Sequence, residues 1–420
     1  MIIKRREMEE LSKAKGWLLI FGRRKVGKTF LVKNSLRPDA YFLVRRDLSI
    51  LAEGAEAPTS LTDFSERVRQ LLKKQKTVAI DEFQRLPFRV LEDISTAHPN
   101  GKLILTGSSL RVIHRIFATG APLLGLVSEH RIGLISPTDV FLSLCERLPP
   151  EQALRFAPYV RDPWTVEFFR WEDPLTEVYD LLQRSKLSIP ALIGEVFLEE
   201  ERELTSTYEA ILRLVGAGRW RMAEIAGSLH ARGLLERPDP RAVAPYVKNM
   251  QRMGLLESVG VFNLRASYLK VESPIIEAFF YLADRYGFDE RDVGLAEAKP
   301  TLRRLLAMHV QDFIGWLLAE LYGGRREYYF TPSEEIDVLV TVRRKPVVIA
   351  EVKTGKVGRA EIARFKENTR QFPTAEKLLV CWHPLEAPGI KTITPKELLE
   401  MCRKSAQQQQ TRVQTGAPKR

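Results

Sequence analysis

Three groups of residues in this sequence have the types and spacing for phosphate chemistry. Gly22 to Thr29, GRRKVGKT, fits G-x-x-x-x-G-K-T, a loop whose glycines free backbone amides to wrap phosphate oxygens. The spacing assigns Lys28 to the β- and γ-phosphates of ATP and Thr29 to Mg²⁺, with Gly22, Arg23, Arg24, Lys25, Val26 and Gly27 as the enclosing loop. In TVAIDEFQ, Asp81 ends an apolar run where it can join the Mg²⁺ shell, and Glu82 can orient or deprotonate the attacking water. Adjacent acids suit hydrolysis better than simple binding. Thr106, Ser108 and Ser109 close the next run, KLILTGSS, and any of them can sense the γ-phosphate.

The third group lies in EEIDVLVTVRRKPVVIAEVKTG, residues 334–355. Apolar alternation gives two strands with a short hairpin turn at RRKP. Pairing across that turn brings Asp337 and Glu351 to one end of a sheet, and Lys353 shares the face of Glu351 because side chains alternate along a strand. Two carboxylates can then hold Mg²⁺ while the ammonium positions or activates water for attack on a phosphodiester. A bare E-x-K recurs by chance about once or twice in a chain of this length. The acid on the preceding strand, the paired strands and the helix in front carry the specificity. Asp312 and Glu320, both on HVQDFIGWLLAELYGG, are alternative candidates for a further acid.

The elements that must position these groups read as a multidomain α/β chain. GWLLIFG is a strand followed by the glycine-rich turn and a helix, and TVAID and KLILTGSS are further strands separated by helical stretches. That alternation implies a parallel sheet with helices on both faces, over residues 1–136. Residues 137–203 read as a helical lid broken by prolines and carrying the aromatic group PWTVEFFRW. Helix, helix, helix and two short strands follow over 204–272, the order of a winged helix-turn-helix. Its third helix offers Arg241, Lys248 and Arg252 to DNA phosphates, as the hairpin offers Arg265 and Lys270. A helical linker (273–300) precedes the unit holding Asp337, Glu351 and Lys353 (301–402), and a tail (403–420) reads as disordered.

Composition narrows the function classes. The formal charge is +12, which favours polyanionic partners such as nucleic acid, although five of those charges (Arg403, Lys404, Arg412, Lys419 and Arg420) lie in the tail. Three scattered cysteines and six histidines argue against a disulfide framework or a zinc site. The charged start and the lack of a long apolar run predict a cytoplasmic protein without a membrane span.

FGRRKVGKTFLV, AIDEFQRL, LILTGSS, the TYEAIL stretch before the winged helix and the EIDVLV…AEVK ending together resemble the archaeal ATPase family. These are P-loop proteins of the broad AAA+/STAND group. The resemblance implies ATP and Mg²⁺ as cofactors, DNA as a partner, and a C-terminal restriction-endonuclease-like domain with a PD-(D/E)xK core. Family members commonly carry a Gly-Arg pair after the sensor strand; here PLLGLVSEHR has Leu126 after Gly125, leaving Arg131 as the nearest arginine. An arginine finger would then come from a neighbouring subunit of a homo-oligomer. Two rival expectations stand beside an ATPase acting on DNA. One is a nucleotide-controlled assembly switch whose last domain only binds, and the other a transcriptional regulator working through the winged helix.

Overall fold

The computed structural model describes residues 1–108, 118, 120–200, 205–264, 266–331 and 334–415, with side chains described as far as 408. Helix α1 (Glu7–Lys13) leads into β1 (Trp17–Phe21), and α2 (Lys28–Leu31) continues through a π-helical turn, Val32–Leu36. Then come β2 (Ala40–Val44), β3 (Ile50–Ala52), α3 (Leu61–Lys73), β4 (Thr77–Asp81), α4 (Phe88–Ser95), β5 (Lys102–Gly107) and β6 (Val127–Arg131). The strands form one sheet in the order β3-β2-β4-β5-β1-β6, parallel throughout except for β3. β1, β4 and β5 read as unbroken apolar runs because both faces are covered: Trp17, Leu19 and Ile80 face one core, and Leu18, Ile20 and Ile104 the other. β5 lies between β1 and β4, with Phe21 opposite Gly107 and Asp81 opposite Thr106. The ends of those strands therefore converge, and the loops after them carry the candidate groups.

Four helices follow: α5 (Pro137–Leu144), α6 (Pro150–Val160), α7 (Pro174–Arg184) and α8 (Ser188–Glu199). The prolines here start helices rather than break them: α5, α6 and α7 each begin on one, where its missing N–H has no partner to lose, and Pro158 is carried inside α6. α9 (Ser206–Gly216), α10 (Met222–Ala231) and α11 (Pro240–Arg252) lead to a hairpin of β7 (Leu256–Val261) and β8 (Ser267–Val271). The remainder is α12 (Pro274–Tyr286), α13 (Leu295–Leu321), β9 (Arg325–Phe330), β10 (Glu335–Val342), β11 (Lys345–Lys353), α14 (Arg359–Asn368), β12 (Glu376–Cys381), β13 (Lys391–Ile393) and α15 (Pro395–Thr415).

The hairpin is not a free appendage. β7 runs parallel to β9, with Gly260 opposite Glu327 and Val261 opposite Tyr328, so the second sheet is β13-β12-β11-β10-β9-β7-β8. One apolar core runs from Ile135 through α6, α12 and α13 to Cys402, so the segments drawn as lid, three-helix unit and C-terminal domain pack as a continuous body. α13 passes through the boundary set at residue 300, and α15 carries the helix on through 403–415, which composition had suggested would be disordered. The start of that segment is anchored by the fully buried Cys402, and its Gln-rich run has good helix propensity. β10 and β11 are joined by Arg343 and Arg344, with φ of 51° and 65°, a two-residue left-handed turn tighter than the four-residue span expected from RRKP. Among the described residues no helix is long and apolar enough to cross a membrane.

Candidate nucleotide site and the acidic pair of the second sheet

The loop after β1 has the backbone its sequence calls for. Gly22 (φ +155°) passes so close to Ile132 that a Cβ would sit 1.9 Å from the carbonyl oxygen, and Gly27 (φ +90°) turns left-handed into α2. Lys28 donates to the carbonyls of Gly22 (2.8 Å) and Arg23 (3.1 Å) and to the Ser108 hydroxyl (3.1 Å). Burial pushes its ammonium below the usual lysine range, so a phosphate arriving there meets a cation with little water to displace. Of the hydroxyls left open by the sequence, Ser108 faces Lys28 and Thr106 bonds Asp81, while Ser109 lies outside the described residues.

Asp81 is buried and held on both oxygens. One accepts from Thr29 (2.8 Å) and Tyr41, the other from Thr106 and the Glu82 amide (3.0 Å). Glu82 has a left-handed backbone (φ 58°), accepts from Gln84 (2.8 Å) and pairs with Arg85 (3.1 Å). Tyr41, Gln84 and Arg85 are partners the sequence reading missed; only the latter two, close in the chain, were within reach of local pattern.

Lys28, Thr29, Glu82 and Ser108 line a cavity of about 560 Å³. Apolar residues share its lining: Ile2 and Ile3 from the first residues, Ile135 ahead of α5, and Trp164 and Val166 from the turn after α6, with Arg5 and Glu167 among them. A flat base fits the apolar residues while phosphates meet the loop. The loop's side chains do not all enter the cavity. Val26 packs in the core, Lys25 lines the cavity, and Arg23 turns away to a buried pair with Asp162 (2.6 Å). Arg24 pairs with Glu195 (2.5 Å) and Glu199 (2.8 Å) of α8. Arg131 lines a separate, smaller cavity beside Arg23, Arg252 and Glu272, so it does not stand in for the absent Gly-Arg cation at Lys28.

At the second sheet the expected juxtaposition is present. Asp337 accepts from the Val352 amide (2.9 Å), and Lys353 pairs with Glu351 (2.8 Å). Burial, then the Glu351 charge, raise the Asp337 carboxyl to about 6. Although burial opposes it, the bond to Glu351 and its charge raise the Lys353 ammonium. Neither helix acid joins them. Asp312 takes Lys270, Arg326 and Tyr328 (3.1 Å); although burial would raise it, the charges of Arg326 and Lys270 hold its carboxyl below the usual range. Glu320 pairs with Arg6 and accepts from Ser136 (2.9 Å). Among the described residues no three His, Cys, Asp or Glu side chains gather as a metal site.

Arg241, Lys248 and Arg252 project from one exposed stripe of α11, opposite the buried Val243, Val247 and Met250, and make no ion pair among the described residues. Lys270, expected on a phosphate, is instead buried beside Asp312 and Glu277 (3.5 Å), because β8 is covered on both faces. Arg265 lies outside the described residues.

The family model for the AAA domain matches residues 14–125. No curated protein matches the chain. Among solved structures it is similar to a Walker-type ATPase of Pyrococcus abyssi, with TM-score 0.49 and 21% identity over 66% of this chain and 96% of that one. It is also similar to the ORC2 protein of Aeropyrum pernix in its ADPNP–ADP complexes, with TM-score 0.41 and 13% identity over 75% and 95%. The segment that brings Lys28, Thr29, Glu82 and Ser108 to one cavity is thus the part of this longer α/β chain that matches the AAA-domain model.

Proposed function

We propose that this protein is an ATP-hydrolysing switch that acts on DNA. The observation that carries the reading is the convergence of Lys28, Thr29, Glu82 and Ser108 on one cavity that is also lined by the apolar Ile2, Ile3, Ile135, Trp164 and Val166. Lys28 meets the β- and γ-phosphates, the amides of the Gly22–Gly27 loop wrap them, and Ser108 contacts the γ-phosphate side. Glu82, turned into the cavity by its left-handed backbone, gives up Gln84 and takes the attacking water. Thr29 and Asp81, hard oxygen donors 2.8 Å apart, fit Mg²⁺ and are the residues that would hold it. When bound, that ion would neutralise charge between the phosphates.

Support for DNA comes from the stripe Arg241, Lys248 and Arg252 on the third helix of a winged-helix order, and from the shared second sheet. The hairpin tip at Asn263 and Leu264 leaves that sheet at the edge where Asp337, Glu351 and Lys353 lie. Strand spacing places it about 10 Å from β10 and about 14 Å from β11. A duplex touching the tip would pass the acids, which fit a PD-(D/E)xK arrangement with two carboxylates for a Mg²⁺ ion and Lys353 for water or phosphate. A second reading, in which this site binds DNA without cutting it, is favoured by the engagement of Asp312 and Glu320 elsewhere.

Nucleotide affinity and phosphate release test the first part. Lys28→Ala is expected to lose both, and Glu82→Gln to keep affinity and lose turnover. An undiminished rate in Glu82→Gln would reassign the water-activating role.

A further inference from the structure

Glu195 and Glu199 sit four residues apart on one face of α8, at its C-terminal end. Two like charges at that spacing repel each other, and the helix dipole disfavours anions at a C-terminus. α8 has no basic residue in its last turn to offset this. The compensation comes from far earlier in the chain, at separations of 149 to 175 residues: Arg24 of the phosphate loop reaches Glu195 (2.5 Å) and Glu199 (2.8 Å), and Arg46 adds a bond to Glu195 (3.0 Å). Glu199 is the more enclosed acid, with its side chain 12% exposed against 36% for Glu195.

Arg24 stands between two spaces. It lines the cavity that holds Lys28, Thr29 and Glu82, and it lines the smaller one where Glu199 meets Arg252 and Glu272 from the end of α11 and β8. The charges of Glu82 and Glu199 both act on Lys28 and on Arg24. A third phosphate beside Lys28 therefore brings a strong anion into the field of an acid pair that shares its cation.

We propose that Arg24 discriminates the γ-phosphate, exchanging Glu195 and Glu199 for a nucleoside triphosphate and so releasing the end of α8. A guanidinium binds phosphate as well as carboxylate, and bidentate geometry suits both. With a diphosphate in the cavity the exchange has no acceptor, and α8 stays clamped. Once Arg24 turns to the γ-phosphate, Glu199 loses its paired cation, Glu195 keeps only the exposed Arg46, and both face the new anion. Repulsion then drives the helix end outward, and the chain runs from it toward α9, the first helix of the unit that carries the α11 stripe. The exchange breaks no covalent bond and needs no other reactant.

This rests on the reading of the cavity as an ATP site, and the two fail separately. The full-length protein is titrated with ADP and with the non-hydrolysable triphosphate ADPNP, in the presence of Mg²⁺. Glu195→Gln with Glu199→Gln is expected to tighten ADPNP binding about tenfold, because Arg24 no longer has to leave two carboxylates, and to leave ADP within about twofold. Arg24→Gln is expected to do the opposite, weakening ADPNP about tenfold with ADP again little changed. Opposite signs are diagnostic, since loss of a merely structural ion pair would shift both variants the same way. Glu199→Gln alone, half the perturbation, serves if the double variant folds poorly. Hydrogen exchange in α8 should rise with ADPNP and not with ADP. If both nucleotides bind but the ratio of their affinities stays within twofold of the parent in all variants, the exchange is wrong and the ATP site stands. If the parent binds neither nucleotide, both fall.

Discussion

Asp81 and Asp337 each lie near the end of a strand, largely buried, with a second acid alongside, yet the protein treats them differently. Asp81 receives Thr29, Tyr41, Thr106 and the Glu82 amide on its two oxygens. Asp337 receives the Val352 amide, and burial with the charge of Glu351 lifts its carboxyl to about 6. The first carboxylate is oriented in advance by donors from two strands, a helix and the turn after β4, so ligand binding need only complete its surroundings. The second carries charge that the fold leaves under-compensated. Placement of an acid at a strand end is thus shared, and the donors around it separate a carboxylate held on both oxygens from one held by a single backbone amide.

The sharpest way to break the comparison is to remove one site and watch the other. Asp337→Asn with Glu351→Gln is expected to lower Mg²⁺-dependent DNA cleavage at least about a hundredfold while ATP turnover persists, since no side chain of the pair lines the Lys28 cavity. Lys353→Ala should also stop cutting yet retain metal, because the ammonium serves water and phosphate rather than the ion. Plasmid nicking and phosphate release, run on the same preparations, report both. Equal cleavage by the double variant and a parent that cuts would remove the acids from the chemistry. A parent that cuts nothing with any metal or DNA tried would leave them as a binding platform.

A smaller effect follows from the unbalanced charge. The folded value of Asp337, about 6, lies above its ordinary 3.8, so the folded state holds a proton that the unfolded state releases between those values. Its contribution to stability is present below the lower value and is lost as pH rises through the higher one. Asp337→Asn keeps an acceptor for the Val352 amide and removes the charge. It should be more stable than the parent at pH 8, by up to about 3 kcal/mol, and equal to it near pH 3.5. Lys353 moderates this and Glu335 adds to it, so the gain should shrink in an Asp337→Asn, Glu335→Gln comparison. Urea unfolding at both pH values decides; no gain at pH 8 would mean that Lys353 already balances the pair.

What the sequence revealed follows chain distance. The Gly22–Thr29 loop, Asp81 with Glu82, and the Asp337–Glu351–Lys353 hairpin are each set within a few residues or across one turn, where strand and helix periods fix the geometry. Tyr41 on Asp81, Asp162 on Arg23 and Glu199 on Arg24 lie 40, 139 and 175 residues from their partners. No local pattern encodes such pairs. Lys270 and Asp312 misled for another reason: the end of β8 and the second half of α13 are covered nearly all round, so an ionic residue there reads as exposed although it lies in a buried network. The continuity of β7 with β9 was likewise invisible, since parallel neighbours separated by a strand and two helices leave no turn signal.

The smallest expected effect concerns the α11 stripe and sharpens which region meets DNA. Arg241, Lys248 and Arg252 follow one another at seven and four residues, so they share a face, and the face is exposed with no acid pairing them among the described residues. Each phosphate contact releases bound counterions, giving a slope near −0.9 per contact in a plot of log affinity against log salt. Replacing all three with Gln should weaken duplex binding about tenfold at moderate salt and flatten the slope by up to about 3, independent of sequence, because phosphate contacts carry no base information. The Asp337→Asn, Glu351→Gln protein should shift the opposite way: removing two negative charges beside Lys353, with the exposed Lys356 and Arg359 following in the chain, favours a polyanion and tightens binding modestly. Fluorescence anisotropy with a duplex, across a salt series, measures both on one scale. If the α11 variant keeps the parent's affinity and slope while the acid variant moves, the duplex meets the second sheet first and the helix serves as scaffold. If only the α11 variant moves, DNA is held at the helix, and the acids, about 10 and about 14 Å from the hairpin tip, act on it, if at all, after a conformational step.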